Sequence, residues 1–361
     1  MPLATGSSRA VISRNIATEI RAGKKPAQAE AIAFSKARGD SVAARVDAMV
    51  AATDALVRRM DAAFNEADHP RDEDGKFGSG GGRSSLRETK TAAGKRTQAS
   101  GAPLPPHIEK LKLPPAWTDV RYSDNPDADL LAVGKDSKGR VQSVYSDKFS
   151  AAQAAAKFAR IEELRGKFGY ISKQNEEAQQ SSNPRTKDAA DCLDLIMKMG
   201  IRPGSETDTG AKVKAYGATT LEGKHVVKTD AGVSLRFVGK KGVSLDLPVE
   251  DAALAKALLE RAAKSGPDGK LFPAVTDKTL LEHTHTLDGG GFKTKDFRTH
   301  VGTAAAYALV AGRQAPGSPA EYKKAVMDVA KEVSRKLGNT PVIALQSYIS
   351  PTVFAEWRMA A

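Results

Sequence analysis

Cysteine is nearly absent: Cys192 is the single thiol in 361 residues. A disulfide framework within the chain is therefore impossible, which fits a reducing cytoplasm. Cys192 lies in an apolar helical stretch and is expected to fill core rather than to attack a substrate. Long apolar runs are also missing. No stretch approaches the ~18 residues of a membrane span, and the start Met1-Pro2-Leu3 lacks a signal-peptide pattern, so a cytoplasmic protein is expected. The chain has no GxxxxGK[ST] phosphate loop and no cysteine pairs of the zinc type. His283 and His285, two positions apart, would share one side of a strand, but no third ligand lies near them. No paired-carboxylate pattern suits two-metal nuclease work. Neither a metal nor a small-molecule cofactor is expected. Acidic residues are in deficit, 43 against 55 lysines and arginines, for a formal net charge of +12. That balance favours polyanionic partners, nucleic acid first.

What is present falls into four stretches. Residues 1–68, rich in alanine and charge, are expected to form a helical N-terminal extension. Within it, Asp40 to Ala67 places Val42, Val46, Met49, Val50, Leu56, Val57 and Met60 on one face at helical spacing. Residues 69–105 are expected to be a flexible basic linker. The run Gly78-Ser79-Gly80-Gly81-Gly82 and the polar stretch Arg83 to Arg96 hold nothing that could bury a core. Residues 106–147 change character. Trp117, Val120, Tyr122, Leu130 to Val133 and Val141 to Tyr145 predict short strands, and Asp136-Ser137-Lys138-Gly139 predicts a hairpin turn.

Residues 148–361 are mainly helical. Helices are predicted over Ala151 to Leu164 and Lys187 to Met199, the second stopped by Gly200. Another is opened by the capping box Ser318-Pro319-Ala320-Glu321, carries the stripe Tyr322, Val326, Val329, Val333 and Leu337, and is closed by Gly338. Between them, Val226-Val227, Val233 to Val238 and Val243 to Leu247 are β-branched and alternating. Gly239-Lys240-Lys241-Gly242 joins the last two as a tight turn. The expected fold class is α+β: a small β-rich N-terminal module, then a mainly helical domain containing a three-stranded antiparallel sheet, with a helical, linker-connected extension in front.

A basic protein that cuts DNA without a metal needs three kinds of group. Arginine suits the phosphate oxygens, because its planar fork matches two of them and keeps its charge. Tyrosine suits the attack, because a phenolate both attacks and leaves readily enough for the bond to be reversible. A lysine on a turn can serve as acid for the leaving group if its pKa falls toward neutrality. These arguments define roles without choosing residues.

Several separated motifs choose them. They are Leu113-Pro114-Pro115-Ala116-Trp117-Thr118-Asp119-Val120 with Gly134-Lys135-Asp136-Ser137-Lys138-Gly139-Arg140; Gly200-Ile201-Arg202-Pro203-Gly204-Ser205-Glu206 with Gly217-Ala218-Thr219-Thr220-Leu221; Phe237-Val238-Gly239-Lys240; Lys293-Thr294-Lys295-Asp296-Phe297-Arg298-Thr299; and Leu337-Gly338-Asn339-Thr340-Pro341 followed by Ser347-Tyr348-Ile349. In this order, over roughly the last 250 residues, the chain resembles bacterial and poxvirus-like type IB DNA topoisomerases. The resemblance implies Tyr348 as nucleophile, Arg202 and Arg298 as the catalytic arginines, Lys240 as general acid with Lys241 its rival, and Asn339 on the phosphate. It implies that residues 148–361 are the catalytic domain and 106–147 a module that closes over the far side of DNA. Trp117, Lys138, Arg140, Gly204, Lys241 and Lys295 are then expected against DNA. The implied partner is duplex DNA, engaged by a monomer, with a 3′-phosphotyrosyl intermediate and without ATP or metal.

Other roles exist for each residue. Arg202 suits a helix end, Lys240 a solvated turn, Arg298 an ion pair, Tyr348 a core aromatic, and Asn339 a helix start before Pro341. Relatives commonly have histidine where Asn339 stands; an amide can orient a phosphate but cannot pass a proton. The N-terminal module also looks short, because no strands are evident before Pro105. A tyrosine recombinase shares the arginine–lysine–arginine–tyrosine set, but Lys295-Asp296-Phe297-Arg298 has the topoisomerase form rather than His-x-x-Arg. A phage protein that binds DNA without cutting is a further alternative. Short stretches such as Arg14 to Arg21 and His69 to Phe77 resemble pieces of phage-encoded proteins.

Overall fold

The computed structural model describes residues 3–6, 8–24, 26, 28–30, 32, 33, 36, 86–92, 95–206 and 213–360. The expected helix Asp40 to Ala67 and the glycine run 78–82 lie outside the described residues. By their internal contacts the residues form two units, Ala51–Lys157 and Met1–Val50 with Phe158–Ala361. Of the N-terminal extension, α1 (Arg9–Arg21) is described, with Ser8 as its N-cap.

The first unit is built on a five-stranded antiparallel sheet of order β2-β1-β3-β4-β5. Its strands are β1 (Arg87–Ala92), β2 (Lys95–Gln98), β3 (Thr118–Tyr122), β4 (Leu130–Lys135) and β5 (Val141–Tyr145), with the one-turn helix α2 (Pro106–Glu109) before β3. The short strands expected around Val120 to Tyr122, Leu130 to Val133 and Val141 to Tyr145 are present. The linker expected over 69–105 is corrected at its end, because Arg87–Ala92 and Lys95–Gln98 are strands. Arg87 pairs with Tyr122 and Glu88 with Arg121, so β1 extends the sheet from the free side of β3. The module is therefore not short of its leading strands. Backbone pairing rather than a buried face recruits them. Ile108, Tyr122, Leu131 and Ala132 form the small core.

The predicted turn after β4 is present. The Asp136 N–H donates to Arg140 O at 2.9 Å. Gly139 takes a left-handed φ of 73°, a conformation glycine adopts without steric cost. Asp136 accepts from the N–H groups of Lys138 and Arg140, and from the Arg140 guanidinium. Arg140, led by its side-chain hydrogen bond, holds that carboxyl down at about 2.

The second unit contains α3 (Asp147–Gln179, within which the division falls), α4 (Pro184–Met199), a three-stranded sheet, and the helices α5 (Ala252–Ser265), α6 (Asp277–Asp288), α7 (Thr294–Val310), α8 (Pro319–Leu337), α9 (Pro341–Tyr348) and α10 (Ala355–Ala360). The sheet is β6 (Val226–Thr229), β7 (Gly232–Val238) and β8 (Ser244–Pro248) in sequence order. The α8 boundaries match the capping argument: Ser318 Oγ accepts from the Glu321 N–H at 3.3 Å, and Gly338 is the left-handed C-cap. His283 and His285 lie on helix α6, not on a strand. Two positions are about 200° apart on a helix, and His283 Nε2 is hydrogen-bonded to Asn175 Oδ1 at 2.9 Å.

Two apolar clusters fill this unit. One gathers Leu193, Ile196, Leu235, Phe237, Leu247 and Phe297 around α4 and the sheet. The other gathers Val301, Val329, Val333, Leu345, Ile349 and Trp357 around α7, α8 and α9. Each such buried side chain contributes roughly 1.5–3 kcal/mol relative to exposure. Helix α7 feeds both clusters, Phe297 entering one and Val301 the other, and Arg298 sits between these two anchors.

Candidate active site

Arg298 is 3% exposed and has no carboxylate partner among the described residues. Its Nη1–H donates to the carbonyl of Gly200, and its Nη2–H to Leu337 O at 2.8 Å. Its Nε–H is buried with no partner among the described residues. Burial, with the nearby charge of Arg202, brings the guanidinium down to about 10. It therefore stays charged at neutral pH. A buried cation without a carboxylate is costly, and this one is held by two backbone carbonyls and by the side chain of Tyr348. The first turn of α7 is itself fixed: Asp296, 1% exposed, accepts from the Lys293 N–H at 3.0 Å and from Arg160 Nε–H at 2.8 Å.

Tyr348 ends α9, and the Arg298 guanidinium carbon lies 4.6 Å from the centre of its ring. Burial pushes the phenol up, but the charges and hydrogen bonds of Arg298 and Arg202 outweigh it and leave the phenol below its ordinary value. Arg202 is thereby placed on the same hydroxyl. Its own backbone is anchored, because its carbonyl accepts from the Ala218 N–H at 2.8 Å. The approach is close enough that a Cβ on Gly217 would lie 2.7 Å from that carbonyl oxygen. Gly204, with φ of 91°, forms the other side of this contact.

Three of the expected residues, Arg202, Arg298 and Tyr348, thus converge. Asn339 lies in the turn between α8 and α9, its N–H donating to Ser334 O at 3.0 Å. Both polar atoms of its side-chain amide are buried without a hydrogen-bond partner among the described residues. The helix start it could have capped is capped instead by Thr340. Lys240 and Lys241 are both exposed in the turn between β7 and β8, Lys241 with a left-handed φ of 66°, and neither ammonium has a partner among the described residues. Lys295 is exposed in the first turn of α7. In the other unit, Trp117 is half-buried against Gly134, where a Cβ would come within 2.9 Å of the indole. Trp117, Arg96 and Arg121 border a cleft of about 740 Å³ on the five-stranded sheet. Lys138 and Arg140 are exposed on the β4–β5 turn.

Spacing did not reveal the residues that hold the tyrosine. The Thr303 hydroxyl donates to Tyr348 O and accepts from the Ser350 N–H, each at 3.1 Å, so one buried side chain fixes the backbone on both sides of Ile349. Gly302, one residue earlier on α7, lets the Tyr348 backbone approach; a Cβ there would lie 2.7 Å from Tyr348 O. Beyond them, Thr352 Oγ1 donates to Glu162 on α3 at 3.0 Å. Sequence offered only the small size of Gly302 and Thr303 within a helix.

A family model described as the eukaryotic DNA topoisomerase I catalytic core matches residues 146–352. A second, the bacterial DNA topoisomerase IB N-terminal domain, matches residues 98–136. The chain is 25% identical to DNA topoisomerase 1B of Acanthamoeba polyphaga mimivirus over 260 residues, 67% of this chain and 76% of the viral protein. It is 25% identical to DNA topoisomerase 1B of vaccinia virus (strain Copenhagen) over 260 residues, 68% of this chain and 79% of that one. Human mitochondrial DNA topoisomerase I is 28% identical over 205 residues, 53% of this chain and 34% of the human protein. The first family match takes in more than half of the chain, and the two arginines and the tyrosine that converge fall inside it. The chain belongs to the type IB DNA topoisomerases.

Proposed function

We propose that this enzyme relaxes supercoiled duplex DNA by cutting one strand through Tyr348, holding the 3′ phosphate as a tyrosyl ester, letting the duplex swivel and resealing it. The observation that carries the reading is a buried guanidinium, Arg298, that lacks an anion and lies against a phenol. Duplex DNA approaches a chain of net charge +12, and its phosphates are neutralised by lysines and arginines with little regard to sequence. A scissile phosphate beside Tyr348 supplies the anion that Arg298 lacks.

The phenol, already lowered by Arg298 and Arg202, loses its proton to solvent and attacks phosphorus in line. Arg202 and Arg298 take the developing charge on the non-bridging oxygens. Asn339, whose amide has unmet hydrogen-bonding capacity, orients one of those oxygens. Lys240 gives its proton to the departing 5′ oxygen. In religation the 5′ hydroxyl attacks phosphorus, its proton returns to Lys240, and the tyrosyl oxygen leaves as a phenolate that regains its proton from solvent. The ester conserves the energy of the broken bond, so the cycle needs no ATP. The arginines supply the cationic stabilisation, so it needs no metal. Trp117, Lys138, Arg140, Gly204, Lys241 and Lys295 are assigned to DNA contact, and one monomer suffices for each cut. The setting proposed is the cytoplasm of a bacterium or a phage-infected cell.

The decisive variant is Tyr348→Phe. It is expected to bind DNA as tightly as the parent while forming no covalent adduct and relaxing no supercoils, in EDTA and without ATP. Robust plasmid relaxation by that variant would remove the assignment.

A further inference from the structure

Lys240 needs a fixed position if it is to hand over a proton in the transition state, yet its turn is poorly moored. From Gly239 to Val243 the backbone hydrogen bonds close within the turn itself: Gly239 N–H to Val243 O at 2.7 Å and Gly242 N–H to Gly239 O at 3.1 Å. Both lysine side chains are exposed and unpartnered among the described residues. The Asn339 turn, by contrast, is held by the Asn339 N–H on Ser334 O and by Arg298 on Leu337 O.

One side chain joins the two turns. Leu245 on β8 pairs with Phe237 across the sheet and is partly buried against the core. Its two methyl groups each meet a glycine. A Cβ on Gly239 would lie 2.9 Å from Leu245 Cδ1, and a Cβ on Gly338 would come closer still to Cδ2. Gly239 immediately precedes Lys240, and Gly338 immediately precedes Asn339. Leu245 also borders the small cavity that Arg202 and Arg298 line. A γ-branched chain in a notch of two glycines leaves neither turn room to slide, because interiors at this density yield little.

We propose that Leu245 is the positioning residue for Lys240: its isobutyl group, wedged between Gly239 and Gly338, docks the Lys240 turn onto the Asn339 turn and holds the leaving-group acid over the scissile bond. This rests on the assignment of Lys240 as that acid. Losing the wedge leaves the Asn339 turn on its own hydrogen bonds and frees the Lys240 turn. The cost therefore falls on protonation of the 5′ oxygen rather than on attack or phosphate binding.

The test compares two suicide duplexes built around a cleavage site mapped with the wild-type enzyme. They are identical except that the bridging 5′ oxygen is sulfur in the second. When the phosphorus–sulfur bond breaks, the thiolate leaves without a proton, so the acid is no longer needed. On the oxygen duplex, Leu245→Ala should cut at least about tenfold more slowly than wild type, a loss of part of the ~10²–10⁴-fold that general acid catalysis supplies. On the sulfur duplex it should cut at close to the wild-type rate, as Lys240→Ala does, and Leu245→Met, which keeps the volume, should stay near wild type on both. If Lys240→Ala is rescued by sulfur but Leu245→Ala is not, the wedge is general packing and the proposal fails while the acid assignment stands. Wild-type speed for Leu245→Ala on oxygen also overturns it. If sulfur rescues neither, the acid assignment itself has failed and takes the proposal with it. Should Leu245→Ala not fold, as judged by its melting curve, Leu245→Val must show the same oxygen-specific loss.

Discussion

Replacing Gly302 by alanine adds one methyl group at the point where α7 meets the end of α9. Two effects compete. Glycine inside a helix costs about 1 kcal/mol against alanine, so the helix itself gains from the change. The new Cβ, however, would sit 2.7 Å from Tyr348 O, 3.0 Å from Tyr348 Cβ and 3.1 Å from Leu337 Cδ1, where ordinary contact begins at 3.4 Å. Leu337 can rotate away, but a backbone carbonyl cannot, and Thr303 holds that same carbonyl. Overpacking of this kind costs about 1–3 kcal/mol, which matches or exceeds the helix gain, so the melting temperature should be unchanged or fall. The larger effect is geometric. Relieving the clash moves the nucleophile's backbone by about 0.7 Å, and a misplacement near 1 Å can cost on the order of 10²-fold in rate. Single-turnover cleavage of a suicide duplex should therefore slow by about 10- to 100-fold, with the affinity for uncut DNA unchanged. A Gly302→Ala enzyme that cuts at the wild-type rate and melts higher would show that α7 and Tyr348 do not meet this way.

Three further outcomes are expected. Thr303→Val removes the hydroxyl that bridges Tyr348 O and Ser350 N; adduct formation should fall at least about tenfold, reflecting the misplaced nucleophile, and Thr303→Ser should restore it, whereas equal loss in both variants would point to packing alone. Cleavage should rise with pH as the lowered Tyr348 phenol ionises; Arg202→Ala removes one of the influences lowering Tyr348 and should move the rising limb to higher pH, so a limb that stays in place refutes the coupling. His300, 7% exposed and stacked on Phe168 at 4.2 Å, is pushed down to about 4, mainly by burial and also by Arg165. Because the unfolded chain binds that proton first, stability should fall as pH drops from the ordinary histidine value to about 4 and level off below, by at most on the order of 3 kcal/mol. Urea melts across that range should lose most of this slope in His300→Phe.

The elements that hold the machinery were legible because each carries a local signal. The Ser318 cap with Pro319, the stripe from Tyr322 to Leu337 and the Gly338 stop define α8 without any tertiary information. Alternation from Val233 to Val238 and the Gly239–Gly242 turn define the hairpin. Strands β1 and β2 left no such trace. Arg87-Glu88-Thr89-Lys90-Thr91 has no apolar alternation, and it pairs both with the adjacent polar β2 and with β3, more than thirty residues away. The anchors of the nucleophile were hidden for a related reason. Thr303 and Tyr348 are 45 positions apart, and nothing in either neighbourhood says that the hydroxyl of one closes on the carbonyl of the other. Motif order could point to Arg202, Arg298 and Tyr348, and took in Gly204 and Gly217 beside Arg202, but not Gly302, which permits the Tyr348 backbone to approach.

The two carbonyls that accept from Arg298 belong to Gly200, the C-cap of α4, and Leu337, the last residue of α8. Carbonyls at helix ends carry a partial negative charge, about half an elementary charge for a whole terminus. The guanidinium is therefore solvated by two helix termini rather than cancelled by a carboxylate, and keeps a net charge for an incoming phosphate. The same side chain ties the ends of those helices together. Truncating it unties a structural knot as well as deleting a cation, so lost activity in Arg298→Ala cannot be credited to chemistry until the melting curve shows that both helix ends stayed where they were.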